Sequence, residues 1–120
     1  MKKNILYLFT LLSLLVLVSA CSKVSDEDLQ IAHKAYKNGA IIIDVRTREE
    51  YRQKHIDKAV NIPLQLLEKY LEHLPLDKAF ITYCRSGSRS KMAAEFLRKN
   101  GFTVYDVATQ EDWDRELPQK

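Results

Sequence analysis

Four short apolar runs punctuate this chain, and helical spacing fills the gaps between them. Ala40-Ile41-Ile42-Ile43-Asp44-Val45 is a continuous, mostly β-branched stretch that suits a strand buried on both faces. Ala59-Val60-Asn61-Ile62-Pro63 reads as a second strand, stopped by its proline. Ala79-Phe80-Ile81-Thr82-Tyr83 is the third, and Phe102 to Val107 the last. Ser25-Asp26-Glu27-Asp28 has the spacing of a capping box, with Asp in place of Glu. A helix follows it, with Leu29, Ala32 and Tyr36 near one face and Gly39 as its stop. Thr47-Arg48-Glu49-Glu50 is a second box and opens a short helix toward Lys54. Leucines 64, 67, 71 and 74 form a helical stripe that packs the core, and Pro75 to Lys78 is a turn. Ser88 to Asn100 is a helix with Met92, Ala93, Phe96 and Leu97 facing inward. Gln110 to Leu117 is a final short helix whose Trp113 packs it onto the core. This alternation predicts an α/β fold: a central parallel sheet of about five short strands with helices on both faces. Ligands of such sheets bind beyond the carboxyl ends of the strands, where Asp44 and Cys84 both fall.

The N-terminus carries a different pattern. Met1-Lys2-Lys3-Asn4 is a basic start, and Ile5 to Ala20 is apolar apart from Tyr7, Thr10, Ser13 and Ser19. A membrane-spanning helix needs about 20 apolar residues, so this run fits a secretory signal better. Val18-Ser19-Ala20-Cys21 resembles a bacterial lipobox, in which small residues precede the cysteine that receives the lipid. The expected organisation is a signal peptide over 1–20, a lipidated Cys21 with a polar tether over 21–25, and one domain over 26–120. Such a protein is exported and anchored to the cell envelope, on the periplasmic side in a Gram-negative cell. Ser22 after the lipidated cysteine favours the outer over the inner membrane.

Charge narrows the partners. Without Lys2 and Lys3, the 19 Lys+Arg become 17, against 16 Asp+Glu. This near-neutral balance gives no electrostatic case for nucleic acid. Membrane attachment would come from acyl chains on Cys21, and the chain is expected to be a monomer.

Cysteine usage points to chemistry. A secreted domain stapled by disulfides carries cysteines in pairs, whereas Cys84 has no partner once Cys21 is lipidated. Cys84-Arg85-Ser86-Gly87-Ser88-Arg89-Ser90 is a basic, glycine-containing loop between a strand and a helix. Loop N–H groups, the helix dipole and two guanidinium groups favour thiolate there, and would also hold a sulfur-bearing anion. His33 and His73 have no Cys or carboxylate at ligand spacing, so neither a metal nor any other cofactor is expected.

Three blocks together resemble the single-domain rhodanese (thiosulfate sulfurtransferase) family. They are Ile42-Ile43-Asp44-Val45-Arg46 with Glu49-Glu50-Tyr51; His55-Ile56 with Ala59 to Pro63; and Tyr83 to Ser90 with Ala93-Ala94. The resemblance implies a rhodanese-like fold and a two-step transfer of sulfane sulfur through a Cys84 persulfide. The donor would be thiosulfate, a polysulfide or a persulfide, and the acceptor cyanide or a thiol. Arg85, Ser86, Gly87, Ser88 and Arg89 would bind the anionic donor, with Asp44, Arg46 and His55 in supporting roles. The family pattern has glycine where this chain has Lys54 and Lys58, and a Gly-Gly pair near Ala108-Thr109.

Two rivals are distinguishable. Phosphatase-like and arsenate-reductase-like members have a longer Cys-x5-Arg loop, whereas Cys84 to Arg89 is Cys-x4-Arg, sized for a smaller group on sulfur. A lipid-anchored persulfide relay or binding module serving a partner protein needs the same loop as the enzyme, so the sequence does not separate the two.

Overall fold

The structure, a computed structural model, describes residues 24–119. The segments expected to be a signal peptide, 1–20, and the lipidated cysteine and first part of the tether, 21–23, lie outside the described residues.

Helix α1 spans Asp26–Lys37, strand β1 Ile41–Asp44, helix α2 Arg48–Gln53 and strand β2 Val60–Asn61. Helix α3, Leu67–Tyr70, follows, then strand β3, Phe80–Cys84. Helix α4, Ser88–Lys99, strand β4, Val104–Thr109, and helix α5, Gln110–Asp114, complete the order. Side chains start the first two helices. Ser25 Oγ accepts the Asp28 N–H at 3.1 Å. Thr47 Oγ1 accepts the Glu50 N–H at 3.2 Å while the Glu50 carboxylate accepts the Thr47 N–H at 2.9 Å. Two of the orphan donors at the start of α2 are thereby satisfied.

The sheet is parallel throughout, in the order β2-β1-β3-β4. It has four strands among the described residues rather than about five, because the chain holds only four apolar runs of strand length. The second run shrinks to two residues, Val60–Asn61, since it lies at an edge with Val60 exposed. The leucine stripe is also not one helix. Short 3₁₀ turns, Leu64–Leu66 and Leu71–His73, flank α3, so only Leu67 is buried while Leu64, Leu71 and Leu74 pack partly against the core. Met92 is 59% exposed rather than inward-facing. The buried face of α4 is Ser90, Ala93, Ala94 and Leu97, an i, i+3, i+4, i+7 stripe whose first member is a serine.

Two apolar layers cover the two faces of the sheet. On one side, Leu67 of α3 and Ala93, Ala94 and Leu97 of α4 pack with Ile43 and Phe80. On the other, Leu29 and Ala32 of α1 and Trp113 of α5 pack with Ile42, Ile81 and Tyr83. The central strands β1 and β3 are therefore covered on both faces, as their continuous apolar runs require. They pair in register, Asp44 opposite Tyr83, so Asp44 and Cys84 leave the sheet side by side at its carboxyl edge.

Candidate active site

Cys84 is the last residue of β3 and is 2% exposed, yet it lines a cavity of about 210 Å³. Its sulfur therefore forms part of a protected floor. Arg46, Glu50, Gln53, Lys54, Arg85, Gln110 and Glu111 line the rest. The Gly87 N–H donates to Cys84 Sγ at 3.0 Å, and the Ser90 N–H at 3.3 Å. Ser90 is the third residue of α4, and Gly87, the N-cap, has no side chain with which to cap the helix. The Cys84 sulfur fills that role, sitting at the positive end of a 12-residue helix. Gly87 holds φ +100°, and a Cβ there would lie 3.2 Å from that of Ala108. Both the left-handed backbone and the close approach of β4 require glycine. Ser90, buried, donates its hydroxyl to the Gly87 carbonyl at 3.0 Å and so locks the loop.

The two loop arginines diverge. Arg85 is exposed and lines the cavity. Arg89, expected to contact substrate, instead forms a two-pronged pair with Glu50, Nη1 to Oε2 at 2.8 Å and Nη2 to Oε1 at 3.0 Å. It does not line the cavity. The Arg89 guanidinium holds the Glu50 carboxyl down at about 2, and Thr47 hydrogen bonds act in the same direction. The reason is geometric: Arg89 is the second residue of α4, and Glu50 faces it from α2. Ser86 and Ser88 are exposed, and neither lines the cavity.

Asp44 is fully buried and fully engaged. Its carboxylate accepts Arg46 Nε at 2.9 Å, Arg46 Nη2 at 2.7 Å and the Tyr83 hydroxyl at 2.7 Å. Tyr83 accepts in turn from the Ile56 N–H at 3.1 Å. The Arg46 guanidinium lies 5.3 Å from the Tyr83 ring centroid and donates to the Lys54 carbonyl at 2.6 Å. The hydrogen bond to Asp44 holds Arg46 protonated even more firmly than usual, and burial followed by the Asp44 contact pushes the Tyr83 phenol up. This network ties β1, β3 and the segment after α2 together beneath the cavity, with Arg46 as the member that reaches it. His55 stays apart. It is exposed, stacks on Tyr51 at 3.7 Å between centroids, and its Nδ1 lies 2.7 Å from the Tyr51 carbonyl. It does not line the cavity.

Sequence reasoning missed Glu50, Tyr83 and Ser90 as site residues. Glu50 was legible as the end of a capping box and as part of the first block of the resemblance, but nothing in spacing joins it to Arg89, 39 positions away.

A cysteine sulfur cupped by two N–H donors at a strand-to-helix turn, under a cationic rim, is the arrangement found. The model of the rhodanese-like domain matches residues 28–109. This chain belongs to the rhodanese-like family. It is 43% identical over 83 residues to a probable molybdopterin-synthase adenylyltransferase of Porphyra purpurea, covering 66% of this chain and 22% of that protein. It is 34% identical over 62 residues to a sulfurtransferase of Allochromatium vinosum, covering 52% of this chain and 58% of that one. A solved human single-domain sulfurtransferase superposes with a TM-score of 0.61 at 25% identity, over 72% of this chain and 92% of that one. The chain spans about a quarter of the length of the first curated relatives it matches. Sulfurtransferases and sulfur carriers stand among the relatives of this rhodanese-like domain.

Its departures from the family's glycines can now be placed. Lys58 has φ +61° and Ala108 φ +60°, so the backbone keeps the left-handed turn at both positions. Ala108 sits in a β-bulge: Thr82 pairs Asp106, but Cys84 pairs Thr109, one residue further on in β4. Lys54 is ordinary extended backbone, φ −164°.

Proposed function

We propose that this rhodanese-like domain is a sulfurtransferase that moves sulfane sulfur from thiosulfate, or a related anionic donor, to cyanide or a thiol through a Cys84 persulfide. One observation carries the reading. The Cys84 sulfur lies on the floor of a small cavity, with the Gly87 and Ser90 N–H groups aimed at it and Arg85 at its rim. In the first step, the Cys84 thiolate attacks the outer sulfur of thiosulfate. The S–S bond of thiosulfate breaks, sulfite leaves with the electron pair, and the enzyme holds Cys–S–S⁻. In the second, cyanide attacks the outer sulfur, thiocyanate leaves, and the thiolate is restored. No net proton is needed in either step, which suits a site whose buried carboxylate, Asp44, is committed to Arg46 and Tyr83. The N–H donors and the α4 dipole stabilise negative charge on sulfur in both states. At about 210 Å³ the cavity is below the roughly 300–1,000 Å³ of sites for drug-sized ligands, which favours a small donor.

The test is thiocyanate formation by the full chain, purified in detergent, from thiosulfate and cyanide. Cys84→Ser should reduce turnover to background while leaving the melting temperature near that of the native protein, because the hydroxyl is a far poorer nucleophile of similar shape. Near-native turnover by this variant would overturn the mechanism. The sulfur carriers among the relatives support a second reading, a persulfide relay. Loading of Cys84 from polysulfide but not from thiosulfate would select it.

We further propose that the domain is held at the cell envelope by lipid on Cys21, on the strength of the basic start, apolar run and Val18-Ser19-Ala20-Cys21 pattern.

A further inference from the structure

We propose that Lys54 selects the donor: together with Arg85 it forms a two-cation mouth that favours a doubly charged sulfane donor over singly charged or neutral ones. This rests on the sulfur-transfer reading above and concerns the same cavity. Arg46 is committed to the Asp44 carboxylate through Nε and Nη2. Glu50 is committed to Arg89 and Thr47. Those lining charges are neutralised within the wall. Lys54, Arg85 and Glu111 remain, and none has an ion-pair partner among the described residues.

The active loop alone supplies one free cation, because Glu50 occupies Arg89. A dianion such as thiosulfate gains more than a monoanion from a second, and Lys54 is the one the lining offers. Its backbone is fixed at both ends. The Lys54 N–H donates to the Glu50 carbonyl at 3.3 Å, and the Lys54 carbonyl accepts Arg46 Nη2 at 2.6 Å. The ammonium, on a flexible four-carbon stem, is left free to meet an incoming anion. Glu111, on α5, is the unpaired carboxylate of the rim and disfavours approach along that side. Lys54 is exposed, so its effect is modest and screened by salt.

The experiment uses the full chain in detergent and follows persulfide formation on Cys84 by intact mass under single-turnover conditions. Two donors are compared: thiosulfate, a dianion that releases sulfite, and benzenethiosulfonate, a monoanion that releases the sulfinate. For Lys54→Gln, the rate ratio of thiosulfate to benzenethiosulfonate should fall by about fivefold. Lys54→Arg should restore most of the ratio, and Lys54→Glu should lower it further. Raising ionic strength should slow thiosulfate loading in the native protein more than in Lys54→Gln. An unchanged ratio, or equal losses for both donors, overturns the inference, since equal losses mean that Lys54 acts only through its backbone contacts. If the native chain loads sulfur from neither donor and not from polysulfide, the sulfur-transfer reading itself fails; loading from polysulfide alone keeps the relay and overturns the role of Lys54. If it loads from both and the ratio does not move, only the role of Lys54 fails.

Discussion

Cys84 occupies the place that a serine or aspartate side chain fills at most helix starts. Its sulfur takes the Ser90 N–H that would otherwise be an orphan donor of α4. The atom proposed to react is thus also a structural cap, so charge on sulfur is stabilised by groups the fold already holds in place. Arg89 contributes one step removed. Its pair with Glu50 joins α2 to the first turn of α4 and steadies the loop. Arg89→Ala should therefore slow persulfide formation from thiosulfate and from benzenethiosulfonate alike, by about tenfold or more, through misplacement of the loop. A loss confined to thiosulfate would mean that Arg89 binds the anion directly. The pair also has a pH signature. Glu50 lies at about 2 in the folded protein, below its ordinary 4.5, so on acidification the unfolded chain takes up its proton first. The stabilisation is complete above about 4.5 and is lost as pH falls through about 2. The pair is partly exposed and is worth about 1 kcal/mol. Urea unfolding of the native protein and Glu50→Gln should differ by that amount at pH 6 and converge toward pH 2. A difference that stays constant over this range would contradict the pairing. At this scale the cysteine and its basic loop were legible, because residue type and local order reveal them. The partner of Arg89 was not, because only the tertiary fold brings Glu50 to it.

At the scale of elements, periodicity and capping determined what could be read. The full box at Thr47 starts α2 and the Ser25 side-chain cap starts α1, since a cap is a local contact; at Ser25 the reciprocal backbone bond is replaced by the Ser25 hydroxyl donating to Asp28. The apolar runs at Ile41–Asp44 and Phe80–Cys84 became the two central strands. Periodicity found Ala93 and Leu97 on the buried face of α4, with Phe96 packed beside them, but put Met92 where Ser90 lies, because Ser90 is buried for its hydrogen bonds and not for hydrophobicity. It also did not show that the leucine stripe bends through two 3₁₀ turns. The left-handed turns at Lys58 and Ala108 were visible only as missing glycines. A left-handed non-glycine residue costs about 1–2 kcal/mol, and glycine returns part of that to the flexibility of the unfolded chain. Lys58→Gly, at an exposed position, should therefore stabilise the domain by about 0.5–1 kcal/mol. Thermal melting would show it as a higher midpoint, and a lower one would mean that the Lys58 side chain makes a stabilising contact.

For the whole molecule, the parallel sheet explains why the site lies where it does. Two neighbouring strands end together, one delivering Cys84 and the other Asp44, and the buried Asp44, Tyr83 and Arg46 network anchors the cavity wall to the core. Chemistry and scaffold therefore share residues. The proposed lipid anchor belongs to this scale as well. In a bacterial host that processes lipoproteins, the chain should incorporate labelled palmitate and partition with membranes, and Cys21→Ser should do neither. Unlabelled native chain would remove the anchor from the account without touching the active site. Whether Cys84 carries sulfur is decided by the intact mass of the full chain after thiosulfate, and again after cyanide. A gain of one sulfur atom, located at Cys84 and removed by cyanide as thiocyanate, is the expected result. No adduct from thiosulfate, polysulfide or benzenethiosulfonate would contradict it.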